Sequence, residues 1–98
     1  MDIKIQSVRF DADKKLIAYI ENKVGKLSQV ADKIIDAEVV LRLENSETKD
    51  NKVAEIKINV PYAKDIFAKR QRSTFEESVD LATVALRRQL KKYKEKLR

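Results

Sequence analysis

The chain has no cysteine, no histidine and no tryptophan, and only one glycine and one proline among its 98 residues. Without thiols there are no disulfides, and the usual zinc and haem ligands are missing. The commonest nucleophile and the commonest general base are missing with them. A lone glycine, Gly25, cannot furnish a phosphate-cradling loop of the GxxxxGK or GxGxxG kind. No apolar run approaches the roughly 20 residues that cross a bilayer. The opening MDIKIQSV lacks the apolar stretch of a signal peptide. These absences lead us to expect a cytoplasmic protein that is not an enzyme, with no cofactor, metal, membrane or small-molecule substrate.

What is present is charge, unevenly placed. Residues 1–86 carry 15 basic and 15 acidic side chains, whereas residues 87–98 carry seven basic residues and one acid, Glu95. The whole net charge of +6 therefore sits at one end. A balanced body with a cationic end points to a polyanionic partner.

The apolar pattern predicts an α+β fold in the order β-α-β-β-β-α, read as one domain over residues 1–98. Residues 2–9 alternate around Ile3 and Ile5 and read as a strand. Asp11 or Asp13 then caps a helix whose apolar positions Leu16, Ile20, Val24, Leu27 and Ala31 recur at helical spacing. Residues 37–44 and 53–60 alternate again and flank the turn-rich NSETKDN, as a hairpin does. Pro61 ends the third strand, and residues 64–70 form a short fourth. Thr74, or Ser73, opens a second helix, with Glu77 completing a capping box behind Thr74. Its stripe runs Phe75, Val79, Ala82, Leu86, Leu90, Tyr93 and Leu97. Alternating strands leave one sheet face wet. Both helices are expected on the other face of a four-stranded sheet, an arrangement like that of the double-stranded-RNA-binding domain.

The acids offer little chemistry. Glu76 and Glu77 fall in the first turn of the second helix, where they favour its dipole. Asp80 reads as a solvated or locally paired acid. The ending RRQLKKYKEKLR is different. Arg87, Lys91, Lys94 and Arg98 share one flank of the apolar stripe, and Arg88, Lys92 and Lys96 the other. One or two cations would satisfy a helix C-terminus. Seven on one helix favour a surface that follows phosphates, gripped by arginine and neutralised by lysine. On the first helix Lys15, Tyr19, Asn22 and Lys26 follow one flank, beside Lys23. Tyr19 there either meets sugars and exposed bases or borders the core. Lys69 to Arg72 add three cations before the second helix. If the helices pack side by side, these groups form one basic surface.

At these residues the sequence resembles the ribosome hibernation-promoting factor family, which includes the ribosome-associated inhibitor A proteins. IKIQSVRFDADKKL resembles the family's opening strand and helix start. KVGKL resembles its lysine-x-x-lysine-leucine pattern, here Lys23, Lys26 and Leu27. VDLATVALRRQLKKYKEKLR resembles its second helix, with Val79, Asp80, Leu86, Arg88, Gln89, Leu90, Lys92, Lys94 and Lys96 in matching places. TFEES departs from the family, which often has an aspartate, a hydrophobic residue and a tyrosine there; Gly25 stands where a small helix former is more usual.

The resemblance implies a factor that binds the small ribosomal subunit and its rRNA in the mRNA and tRNA channel. It implies a block of translation under stress or in stationary phase, with inactive ribosome dimers as a further outcome. The ending at Arg98 resembles the short form. Lys23, Lys26, Arg88, Lys92 and Lys94 follow from the resemblance as RNA contacts, and Arg87 and Lys91 from helix geometry. Two other readings stay open: a general double-stranded-RNA-binding module, and a module that docks on an acidic protein.

Overall fold

In the computed structural model, which describes residues 1–45, 47–64 and 66–97, the alternating segments form four strands and the periodic ones two helices. The order is β1 (Asp2–Val8), α1 (Lys14–Gly25), β2 (Asp36–Leu43), β3 (Lys52–Asn59), β4 (Phe67–Arg72) and α2 (Phe75–Lys96). The strands lie in the sheet order β1-β2-β3-β4. The first pair is parallel, which requires a crossover, supplied by α1. The other two pairs are antiparallel. This is the α+β arrangement expected from the sequence.

Register explains the buried face. Ala37, Val39 and Leu41 stand opposite Ile58, Ile56 and Ala54, and all six are buried. Leu16, Ile20 and Val24 of α1 and Val79, Ala82, Leu86 and Leu90 of α2 join them in one cluster. The opposite sheet face is polar but not wholly open. Val53 pairs with Arg42 on one side and Gln71 on the other, and it is fully buried. Long polar side chains shield apolar surface in this way. Arg42 is held there by ion pairs to Glu55 and to Glu44, the latter at 3.5 Å.

Caps fix the helix starts. Asp13 accepts from the Leu16 N–H at 2.8 Å, and the Thr74 hydroxyl accepts from the Glu77 N–H at 3.1 Å. Each satisfies one donor that the first turn leaves free. Ser78, buried, lies 2.7 Å from the Lys52 carbonyl and 3.0 Å from that of Thr74, so the start of α2 is tied to the start of β3.

Two expectations need correction. The first helix stops at Gly25 and gives way to a 3-10 turn over Lys26–Gln29. Leu27 and Ala31 are still buried, because the tighter turn keeps them on the core side; Ala31 lies past both helical segments. The fourth strand runs from Phe67 to Arg72, not over 64–70. Val60 and Ala63 form an isolated bridge around a turn at Pro61 and Tyr62. Pairing then continues to Arg72 opposite Lys52. Asp65, within the expected strand, lies outside the described residues.

The sheet's β4 edge has its outward carbonyls occupied. Gln89 of α2 donates to the Phe67 carbonyl at 2.8 Å and accepts from the Phe67 N–H at 3.0 Å. Arg70 donates to the Lys69 carbonyl at 2.7 Å, and Arg72 to that of Gln71 at 2.8 Å. An edge furnished in this way is a poor template for another strand.

Candidate nucleic-acid interface

The last three turns of α2 carry the cations, and burial of the stripe decides where they point. Leu86, Leu90 and Tyr93 face the core. At about 100° per residue, Arg87, Lys91 and Lys94 fall on one flank. With Gln29 and Val30 they line a groove of about 550 Å³ between α2 and the end of the 3-10 turn, interrupted by one acid, Glu95. Lys92 and Lys96 fall on the other flank, in a recess shared with Tyr62 and Lys64. Arg88, exposed, lies on the crown between the two flanks. All these cations are exposed, and among the described residues none makes an ion pair. Arg98, expected to extend the first flank, lies outside the described residues.

The first helix packs beside the second, and the turn that follows it supplies the groove's opposite wall. Tyr19 and Lys23 meet Asp80, while Gln29 and Val30 face Arg87, Lys91 and Lys94, so α1 and α2 run side by side in the same direction. The Tyr19 hydroxyl donates to Asp80 Oδ1 at 2.6 Å. Lys23 Nζ lies 3.6 Å from the same oxygen and 5.6 Å from the centre of the Tyr19 ring. Asp80 is thus a paired acid, and Tyr19 is a link between helices. The hydrogen bond to Asp80, followed by burial and the negative charges of Asp80 and Glu76, pushes the Tyr19 hydroxyl up to about 12. Lys23 is partly neutralised by this pairing, whereas Lys26 is exposed and among the described residues makes no ion pair.

The expected single basic surface is divided. Asp80 sits in the seam between the helices. The Lys69–Arg72 cations also stand apart. β4 meets α2 at Gln89 through Phe67, while Lys52, paired with Arg72, meets Ser78. That places Arg72 roughly 16 Å along α2 from Gln89, at 1.5 Å per residue.

Tyr62 was missed by sequence reasoning. It takes a left-handed backbone conformation with φ 65° and is 94% exposed. The Tyr93 hydroxyl donates to the Pro61 carbonyl at 2.8 Å and fixes the turn beneath it. The signal available was an aromatic residue in a proline turn, with a lysine two positions later.

Among the described residues there is no cluster of acids, histidines or cysteines able to hold a metal, and no helix is long and apolar enough to cross a membrane. Fold and charge together define a sheet-and-helix protein with a cationic, solvent-exposed end to its last helix. Residues 3–98 match the family described as sigma 54 modulation protein / S30EA ribosomal protein, and the chain belongs to that family, the one that its sequence resembles. It is 28% identical over 99 residues to the ribosome hibernation promotion factor of Bacillus subtilis strain 168, covering 99% of this chain and 50% of that protein. It thus spans about half the length of this curated relative. Two solved structures share the fold. The N-terminal domain of Protein Y from Thermus thermophilus aligns with TM-score 0.81 at 23% identity, over 95% of this chain and 99% of that one. A ribosomal subunit interface protein from Coxiella burnetii aligns with TM-score 0.84 at 23% identity, over 97% and 99%.

Proposed function

We propose that this chain is a ribosome hibernation factor that binds the small ribosomal subunit in the channel used by mRNA and tRNA. Occupying that path blocks translation under stress or in stationary phase, and it accompanies the pairing of ribosomes into inactive dimers. The observation that carries this reading is the set of exposed cations on the last turns of α2, none of them ion-paired among the described residues, in a chain of this family. Arg87, Arg88, Lys91, Lys92 and Lys94 follow rRNA phosphates, with Lys26 and the half-paired Lys23 on the neighbouring helix. Each phosphate neutralised releases condensed counterions, which supplies most of the affinity. Arginine adds bidentate geometry, and lysine a mobile point charge. No step of this function requires bond chemistry, and the protein works where ribosomes translate, in the cytoplasm.

Sedimentation with purified ribosomes through a sucrose gradient tests the reading. The expected result is co-migration with small subunits that survives excess duplex RNA and disappears in the variant R87E/R88E/K91E/K92E. An added dimer peak supports ribosome pairing. Protein left at the top of the gradient at both low and moderate salt overturns the reading, and release by duplex RNA assigns a general duplex binder instead.

A further inference from the structure

We propose that Tyr62 is a stacking platform for one unpaired nucleobase of the RNA that α2 engages; this rests on the ribosomal reading above.

The chain holds six aromatic residues, and most are used inside the fold. Phe10 and Phe75 stack with ring centres 4.8 Å apart. Tyr93 is buried with its hydroxyl on Pro61, and Tyr19 bonds Asp80. Phe67 is half exposed at the sheet edge, its backbone held by Gln89. Tyr62 stands clear, 94% exposed, and among the described residues its side chain makes no hydrogen bond or ring contact.

Its backbone makes the position more telling. A φ of 65° is strained for any side chain bearing a Cβ, and strain of this kind persists only where the surroundings enforce it. Here they do: Pro61 precedes Tyr62, Tyr93 anchors the Pro61 carbonyl, and the Val60–Ala63 bridge closes the turn. The outcome is a ring presented to solvent from an anchored turn.

Charge selects the occupant. Lys64, Lys92 and Lys96 share a recess of about 360 Å³ with Tyr62, floored by Tyr93 and Leu97. An apolar floor and a flat ring among ammonium groups match a base with its phosphates, the combination used to hold single-stranded nucleic acid. Lys92 belongs to both the recess and the cationic helix, so a strand following α2 passes Tyr62.

The test uses small ribosomal subunits and protein-free small-subunit rRNA as probes. Stacking on one base predicts that Y62A and Y62G bind small subunits about 5- to 150-fold more weakly, while Y62F and Y62W bind as wild type. Y62G melts at or above the wild-type temperature, because glycine adopts this φ freely; its weaker binding is then not a folding defect. The chain has no tryptophan of its own, so Y62W reports on the site alone, and rRNA quenches its emission. Unchanged binding by Y62A and Y62G, with binding lost in R87E/R88E/K91E/K92E, overturns the stacking platform and leaves the ribosomal reading intact. Weaker binding of Y62A to subunits without quenching of Y62W by rRNA also overturns it, and seats the ring on a ribosomal protein. A wild-type chain that never co-sediments with small subunits removes the ribosomal reading and this proposal together.

Discussion

Tyr19 and Asp80, 61 positions apart in sequence, meet at 2.6 Å and join the two helices across their seam. Lys23 shares the same carboxylate oxygen, so one acid ties two side chains of α1 to α2. Removing the hydroxyl in Y19F deletes a hydrogen bond to a charged group and costs about 1–2 kcal/mol at neutral pH. The cost depends on pH in a defined way. The Tyr19 hydroxyl is raised from 10.0 to about 12, so between those values the unfolded chain has released a proton that the folded chain still holds. The contribution is complete below pH 10 and fades as pH rises to 12. Urea midpoints of wild type and Y19F at pH 7 and pH 11.5 should converge at the higher value. A difference ultraviolet titration should place the missing phenol near 12.

Gln89 was marked by resemblance alone, and the structure gives it a physical task at the β4 edge. Replacing it with leucine removes both bonds to Phe67 and costs about 0.5–1.5 kcal/mol, since water partly replaces them. The Phe67 amide should then exchange with solvent faster, whereas Ala54 and Ile56 amides in the central strand should not. Hydrogen exchange read by NMR checks this.

Gly25 ends α1 in ordinary right-handed helical geometry, with φ −58°. A Cβ added there meets nothing within 4 Å. G25A should therefore stabilise the protein by about 0.4–1 kcal/mol, largely by restricting the unfolded chain. Thermal melting tests this; a lower melting temperature would contradict the open geometry.

If about five cations of α2 meet phosphates, the log–log dependence of ribosome affinity on salt has a slope of roughly −3.5 to −4.5. Neutralising Lys91 or Lys92 should reduce its magnitude by about 1. Arg42, already paired with Glu55 and Glu44 on the opposite sheet face, serves as the control, and R42Q should leave the slope unchanged. Fluorescence anisotropy at a series of salt concentrations measures all three.

Much of this was legible in the residues. Thr74 caps the second helix as read, although the Glu77 carboxylate accepts from the Ser73 hydroxyl and not from the Thr74 N–H that a full capping box uses, and the stripe from Phe75 to Tyr93 is buried. Helical periodicity sorts the cations onto two flanks as read, except that Arg88 falls on the crown between them. The start of β4 was not legible for a local reason. Ile66 is buried and its carbonyl accepts from the Ile58 N–H at 2.8 Å, so residues 64–70 alternate like a strand although the ladder starts at Phe67. The Tyr19–Asp80 contact depends on how α1 and α2 are placed, which no local pattern encodes. Tyr62 escaped notice because a turn aromatic gains its meaning from its φ and its lysine neighbours.

The arginines at the β4 edge have one more consequence. Arg42 is immobilised by carboxylates and loses its field to them. Arg70 and Arg72 instead donate to the neutral carbonyls of Lys69 and Gln71, so these bonds leave each guanidinium's charge unopposed. A bond of this kind narrows the rotamers that a long side chain samples in the folded state. The edge strand thereby carries a pair of cations apart from those of α2, each leaning on the backbone beside it rather than on an acid.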